Sequence, residues 1–469
     1  MKHFILFIAF LLSAGMTIAQ ENVNYDESKV PDYVLPDPLV FNDGTKVSTV
    51  EQWENQRRAE LLELFFSQMY GRTPQDKIKV TYETLSENPN FLNGKATAKQ
   101  VKFLFTNGKK NHEAVLLLIL PNQAKGKVPV FVTYNYKGNH SVSPDPSILL
   151  PSALLLPQIP DYWRYVDGDR ERGCQTSRWP LEKIVDRGYA VATMSYQDIY
   201  PDIKDKGREY SVVSLFPDYH PDRVAPDEWQ ALGAWAWGNS RIVDYLETQE
   251  RIDPEKMIVM GHSRQGKAAL WAGAQDKRFK IVISNNSGSG GAALSKRAFG
   301  ETIKRTAGVN PHWFCPAFDQ YTDNEPRLPF DQHELVALTA PRKVYIASAV
   351  EDTAADPKGE FLSGYHAGPV YELYGLKGFE TNVLPPVHQP IMNDVGFHIR
   401  EGIHDVTDYD WIAFMDFADK HLATANIFED KEYEITFNSQ GDIGGKLSIR
   451  RNRQQILNVN FTDKSNSKN

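Results

Sequence analysis

Residues 257–270 read Met-Ile-Val-Met-Gly-His-Ser-Arg-Gln-Gly-Lys-Ala-Ala-Leu, an apolar run that passes through a Gly-flanked serine into a helix-forming stretch. A serine on such a strand-to-helix turn projects its Oγ out of the sheet, and small neighbours are needed because the turn brings backbone close. Ser263 is therefore the candidate nucleophile. Gly266 stands three residues after Ser263 rather than two, so the general GxSxG pattern is not met. An ordinary βα loop with a capping serine is the plainer alternative.

A serine hydroxyl needs an imidazole to take its proton, and the imidazole needs a carboxylate to hold its tautomer and balance its charge. In nucleophile-elbow enzymes the order along the chain is Ser, acid, His. Asp352 lies just after the apolar run 343–347, in the loop where the acid is expected, and Glu351 is a neighbouring candidate. For the base, His404 sits in Gly402-Ile403-His404-Asp405-Val406. It precedes Thr407-Asp408-Tyr409-Asp410, a capping spacing that opens a helix through Trp411, Phe414, Met415 and Phe417. The other late imidazoles, His388, His398 and His421, lack that combination of Gly-flanked loop and helix start.

These residues need a rigid frame, and short continuous apolar runs separated by helical stretches supply one. Five such runs, at residues 128–134, 189–194, 257–260, 279–283 and 343–347, predict parallel strands covered on both faces, with a helix over 227–247. Upstream, Val101-Lys102-Phe103-Leu104-Phe105 and Val115-Leu116-Leu117-Leu118-Ile119 flank Asn107-Gly108, the strongest short hairpin signal. A helix should begin at Ser48-Thr49-Val50-Glu51, which has capping-box spacing, and stop at Gly71 before Pro74. The frame is an α/β sandwich with a mostly parallel central sheet and an antiparallel N-terminal hairpin. Residues 135–180, Pro-rich and holding the cluster Tyr162, Trp163 and Tyr165, read as a loop insertion over one face. Residues 425–469 read as a small β appendage or tail.

The 469 residues are 41% hydrophobic and 24% charged, which excludes a disordered or fibrous chain. A formal charge of -8 argues against a nucleic-acid partner, whose phosphates call for a basic stripe. Met1-Lys2-His3, an apolar run from Phe4 to Leu12 and small residues up to Ala19 read as a secretory signal peptide over residues 1–19, for a secreted or periplasmic protein. No apolar stretch reaches the roughly 20 residues of a membrane span. Cys174 and Cys315 could pair in an oxidising compartment, but their spacing does not decide it. No paired ligand spacing such as HExxH or CxxC points to a metal.

The segment Gly261-His262-Ser263-Arg264-Gln265-Gly266-Lys267 resembles the GCSRxGK signature of the glucuronoyl esterases, carbohydrate esterase family fifteen. The resemblance extends in order through Ser287-Gly288-Ser289-Gly290-Gly291, Arg297-Ala298-Phe299-Gly300-Glu301, Asp356-Pro357-Lys358-Gly359-Glu360-Phe361 and His404-Asp405-Val406 to Asp410-Trp411. Val30-Pro31-Asp32-Tyr33 and Met69-Tyr70-Gly71-Arg72-Thr73-Pro74 are similar to its bacterial members, so that about residues 25 to 425 are covered. It implies a three-layer α/β-hydrolase, here over residues 20–424. The implied reaction is cleavage of the ester between 4-O-methyl-glucuronic acid on xylan and alcohols of lignin, without metal or organic cofactor; a monomer is the separate expectation for its assembly. Carried over by position, Ser263 is nucleophile, His404 base, Arg264 an oxyanion stabiliser, and Lys267 and Glu301 ligands of sugar hydroxyls.

Three departures from the family pattern stand out. Where the family often has Glu before Ser-Gly, this chain has Asn286, which leaves Asp352 to act as the acid alone. The family Trp two residues beyond that acid is Ala354. The Cys beside the nucleophile and its bridging partner near the base are His262 and Val406, so the fungal-type disulfide is absent. Two further functions remain open at this stage. One is an esterase for another hemicellulose ester, acetyl or feruloyl; the other is a non-catalytic carbohydrate-binding member of the family.

Overall fold

A computed structural model of the chain describes residues 23–76, 78–150, 168–422, 433–437, 444–451 and 454–462. The expected leader and the cluster Tyr162, Trp163 and Tyr165 lie outside the described residues.

The ten strands β1 (Lys79–Phe91), β2 (Ala96–Thr106), β3 (Asn111–Pro121), β4 (Val128–Asn135), β5 (Ala190–Ser195), β6 (Ile252–His262), β7 (Phe279–Asn285), β8 (Lys343–Ala349), β9 (Ile391–Met392) and β10 (Val395–Arg400) form one twisted sheet. Their order is β1-β2-β3-β5-β4-β6-β7-β8-β10-β9. The strands from β5 to β10 pair in parallel. β1, β2 and β3 pair antiparallel at one edge and join β5 in the same sense. Every residue of β4 and β5 is buried, which is why these strands read as unbroken apolar runs rather than alternating ones.

Helices cover both faces. Along β6, Val259 packs into a core with Leu270 and Trp271 of the helix Arg264–Gln275 and Trp235 of the helix Ala231–Leu246. Its neighbours Ile258 and Met260 point the other way, into a core with Tyr189 and with Trp411 and Phe414 of the helix Asp408–Leu422. This is the three-layer α/β-hydrolase arrangement. β6 therefore ends, at its C-terminal tip, between two anchored layers, and Ser263 follows directly.

Local differences from the sequence reading have physical reasons. The hairpin turn spans Asn107 to Lys110, because Asn107 Oδ1 accepts from the Lys109 and Lys110 amides and so builds a longer turn than a two-residue one. The first helix is capped one residue later than expected, by Thr49 with Gln52 closing the box. The helix expected from residue 227 starts at Ala231, since Gln230 is still extended. A sixth parallel strand, β10, was not foreseen: His398 and Arg400 interrupt its apolar pattern, yet both are buried because Asp410 pairs with them. Cys174 and Cys315 do not pair; one is exposed, the other buried, and both are free thiols.

Beyond residue 432, β11 (Tyr433–Phe437), β12 (Gly444–Arg451) and β13 (Gln454–Thr462) make a separate antiparallel sheet in that order. Among the described residues no helix is long and apolar enough to cross a membrane.

Candidate active site

Ser263 has φ 55° and ψ -129°, a backbone state that costs a non-glycine residue about 1–3 kcal/mol and persists only where its surroundings impose it. Here they do. The Ser263 amide donates to the Asn285 carbonyl at 2.8 Å, tying the turn to the end of β7. A Cβ on Gly261 would stand 1.9 Å from the Gln265 carbonyl oxygen, and one on Gly266 would stand 2.9 Å from Ser287 Cβ. Gly261 is thus required by close backbone approach, and the shifted Gly266 by the close packing of the first helical turn against the Ser287 side chain. The Ser263 side chain makes no capping hydrogen bond, so a capping serine does not describe it.

His404 Nδ1 lies 2.6 Å from Asp352 Oδ2. A carboxylate only accepts, so Nδ1 carries the proton and Nε2 is left as the basic nitrogen. Asp352 is 6% exposed and His404 42%, which sets a buried acid behind an accessible base. The two loops are also joined through backbone: the Val350 amide donates to the Arg400 carbonyl and the Glu351 amide to that of Gly402. Glu351 itself is exposed. The other imidazoles have other tasks. His398 is buried between Asp410 and Tyr345, His388 packs on Tyr409, and His421 meets the Met392 and Asn393 carbonyls.

The Arg264 guanidinium pairs with Asp202 and lies over the Trp313 ring, 4.8 Å from its centroid. Its Nε is buried without a hydrogen-bond partner. Burial works against the Arg264 charge, but Asp202, Tyr196 and Tyr136 together outweigh it and raise the pKa. One turn on, the Lys267 ammonium is bonded to the Ser287 and Ser289 carbonyls, at 2.5 and 2.6 Å, and stands 3.7 Å from Glu301 Oε2. Two of its three donors are thereby committed. Burial lowers the Lys267 pKa against the pull of Glu301 and Glu360. The Glu301 amide donates to the Ala354 carbonyl at 2.8 Å, which fixes that carboxylate beside the acid loop. Among the described residues no group of His, Cys, Asp and Glu is placed to hold a metal ion.

Residues 183–375 match the family description "Glucuronyl esterase, fungi". The chain is 43% identical over 402 residues to carbohydrate esterase MZ0003 from an unknown prokaryotic organism, covering 85% of this chain and 92% of that one. It belongs to carbohydrate esterase family fifteen, the glucuronoyl esterases. It is accordingly a carboxylic ester hydrolase, of the bacterial type. Among solved structures, the glucuronoyl esterase of Solibacter usitatus is similar with a TM-score of 0.79 at 41% identity, over 84% of this chain and 100% of that one. A promiscuous family member from a marine bacterial metagenome gives 0.77 at 42%, over 85% and 100%.

Within this glucuronoyl esterase the three departures acquire geometry. Asn286, left-handed at φ 46°, donates its amide to Asp352 Oδ2 at 2.8 Å. Ala354 leaves only a methyl group on the turn after the acid, while Trp313 lies against the charged groups of Arg264 and Lys267, 4.8 and 5.9 Å from its ring centroid. It is 5% exposed, with its Nε1 committed to Asp202 at 2.8 Å. His262 is buried against His404.

Two positioning residues escaped the sequence reading. Asp202 collects Tyr196 Oη at 3.0 Å, His312 Nε2 and Trp313 Nε1 at 2.8 Å each, and Arg264. Burial opposes its ionisation, but His312, Arg264 and Trp313 hold its carboxyl below the usual range. Its one sequence signal was position, past the C-terminal end of β5 on the sheet edge that carries the other site residues. Glu360 is fully buried and accepts from the Ser287 and Gly288 amides at 2.7 and 2.9 Å and from Ser348 Oγ at 2.6 Å. Burial pushes its pKa up to about 8. It fixes the loop whose carbonyls hold Lys267.

Proposed function

We propose that the chain hydrolyses esters of (4-O-methyl-)glucuronic acid, as in lignin-glucuronoxylan cross-links, through an acyl-enzyme on Ser263. Ser263 Oγ attacks the ester carbonyl carbon while His404 Nε2 takes its proton, and Asp352 balances the imidazolium. The tetrahedral oxyanion is met by Arg264. The alcohol then leaves with the proton from His404, and water, deprotonated by His404, releases the uronic acid. Lys267 and Glu301, side by side, hold neighbouring ring hydroxyls of the sugar as donor and acceptor.

The single observation that carries this reading is the placement of the Lys267 ammonium and the Glu301 carboxylate, 3.7 Å apart, one helical turn from the nucleophile candidate. An acceptor and a donor at that separation suit a hydroxylated ring rather than an aliphatic acyl chain. Relatives named 4-O-methyl-glucuronoyl methylesterase, such as that of Schizophyllum commune at 29% identity over 74% of this chain, support the same substrate class. Ala354 favours one second reading, a pocket open enough for acetyl or feruloyl esters. We place the protein outside the cytoplasm, with residues 1–19 as its leader, acting as a monomer on polysaccharide or lignin-carbohydrate ester.

Assays of methyl glucuronate and an aryl acetate side by side test the proposal. The glucuronate ester should show kcat/KM at least about tenfold higher. Preference for the aryl acetate would favour the second reading, and inactivity on both would leave a carbohydrate-binding protein.

A further inference from the structure

His262 ends β6 beside Ser263 and has no part in the chemistry above. Its ring lies 4.6 Å from that of His404, centroid to centroid, inclined by 45°. His262 Nδ1 is 2.6 Å from Asn285 Oδ1, and Asn285 Nδ2 donates to Asp410 Oδ1 at 3.2 Å. The direction of this chain is dictated from its far end. Asp410 can only accept, so Asn285 turns its amide to it and its oxygen to His262, and Nδ1 of His262 must carry the proton. Asp410 is itself held by His398 Nε2, Arg400 Nε and Thr407. Tyr136 Oη donates to the His262 carbonyl at 2.5 Å, so backbone and ring are both fixed.

A single hydrogen bond from Nδ1 to Asp352 leaves the His404 ring free to pivot about that contact. We propose that His262 is a positioning residue for the base: its ring, oriented through Asn285 by Asp410, braces the His404 imidazole against that pivoting. The proposal rests on the reading of His404 as base.

The electrostatics agree with the geometry. The groups facing His262 are His404 from the base loop, Arg178 from the turn before the helix Leu181–Asp186, Asn285 with Asp410 behind it, and Tyr136. Burial first, then the His404 and Arg178 charges, push its pKa well below the usual imidazole value, against Asn285 and Asp410. The ring stays neutral and so sets no like charge beside His404 when that residue becomes imidazolium. His262 lines a cavity together with Tyr136, Met260, Val406 and Trp411. Truncating His262 would enlarge that space and remove the brace.

The test compares His262→Ala and His262→Phe, with His404→Ala as control, on methyl glucuronate from pH 5 to 9. We expect His262→Ala to lower kcat about 10- to 100-fold with KM within about twofold, because Lys267 and Glu301 are untouched. His262→Phe keeps a ring and should return kcat to within about fivefold of wild type. A kcat for His262→Ala within about threefold of wild type, or no rescue by Phe, overturns the proposal when His404→Ala is inactive. An active His404→Ala variant removes the base reading and the proposal together. If His262→Ala does not fold, ring-nitrogen NMR of the Ser263→Ala protein decides. A neutral, Nδ1-protonated His262 throughout this pH range supports the brace, and a doubly protonated or Nε2-protonated ring overturns it.

Discussion

Asn286 Nδ2 and His404 Nδ1 share one oxygen of the acid, Asp352 Oδ2, at 2.8 and 2.6 Å. The position where the family often carries a second carboxylate is here a neutral donor to the buried acid. The acid is one residue held by an amide, not a pair sharing a charge.

Asp352→Asn should then lower turnover by about 10²–10⁴, as loss of a tautomer-fixing carboxylate does elsewhere. Asn286→Glu alone should also slow the enzyme, since two carboxylates this close cannot both ionise freely. In the Asp352→Asn background the same Glu should recover at least about tenfold, because the side chain at 286 reaches the same Asp352 oxygen that the imidazole nitrogen bonds. Steady-state kcat of the four proteins checks this. A silent Asp352→Asn beside a damaging Glu351→Gln would move the acid by one residue.

Asp202→Asn removes the charge that anchors the Arg264 guanidinium over Trp313 while keeping the side chain's shape. We expect kcat to fall about 10- to 100-fold, below the full cost of losing an oxyanion donor, with KM little changed. A raised KM at constant kcat would mean that Arg264 binds substrate rather than stabilising the transition state.

Ala354→Trp should lower KM for a benzyl or methyl glucuronate at nearly constant kcat, because the added indole restores a packing surface on the turn after the acid, where this chain has only a methyl group. A buried indole supplies packing worth about 2–4 kcal/mol in a well-formed site. An unchanged or raised KM would show that another side chain already closes the pocket.

Glu360 makes stability depend on pH. Its folded pKa of about 8 exceeds the value of about 4.3 in an unfolded chain, so between the two the native state holds a proton that the unfolded state has lost. The stability contributed by the protonated group is full below about pH 4.3 and is lost as pH rises through 8, by up to about 1.4 kcal/mol per unit. Glu360→Gln mimics the protonated form. Denaturant unfolding at pH 5 to 8 should show a shallower decline for the variant; parallel curves would mean that Glu360 is ionised throughout.

What the sequence made legible was what chain order and apolar pattern encode. Unbroken runs such as 128–134 gave the parallel strands, and the Gly-flanked Ser263, the loop after 343–347 and the Gly402-Ile403-His404 loop each lie beside a strand end or helix start. The residues that escaped act through partners distant in sequence. Asp202 and Glu360 are ordinary acids until Arg264, His312 and the Ser287 amide are folded around them. β10 was hidden for the same reason, its His398 and Arg400 being polar in sequence and buried only by pairing with Asp410.

The central claim is that Ser263 forms the acyl-enzyme, and Ser263→Ala tests it most directly. With far-ultraviolet circular dichroism and melting unchanged, turnover of methyl glucuronate should drop by at least about 10³, since the binding groups survive but no covalent intermediate can form. Residual activity within about tenfold of wild type would contradict the account and take Ser263 out of the mechanism.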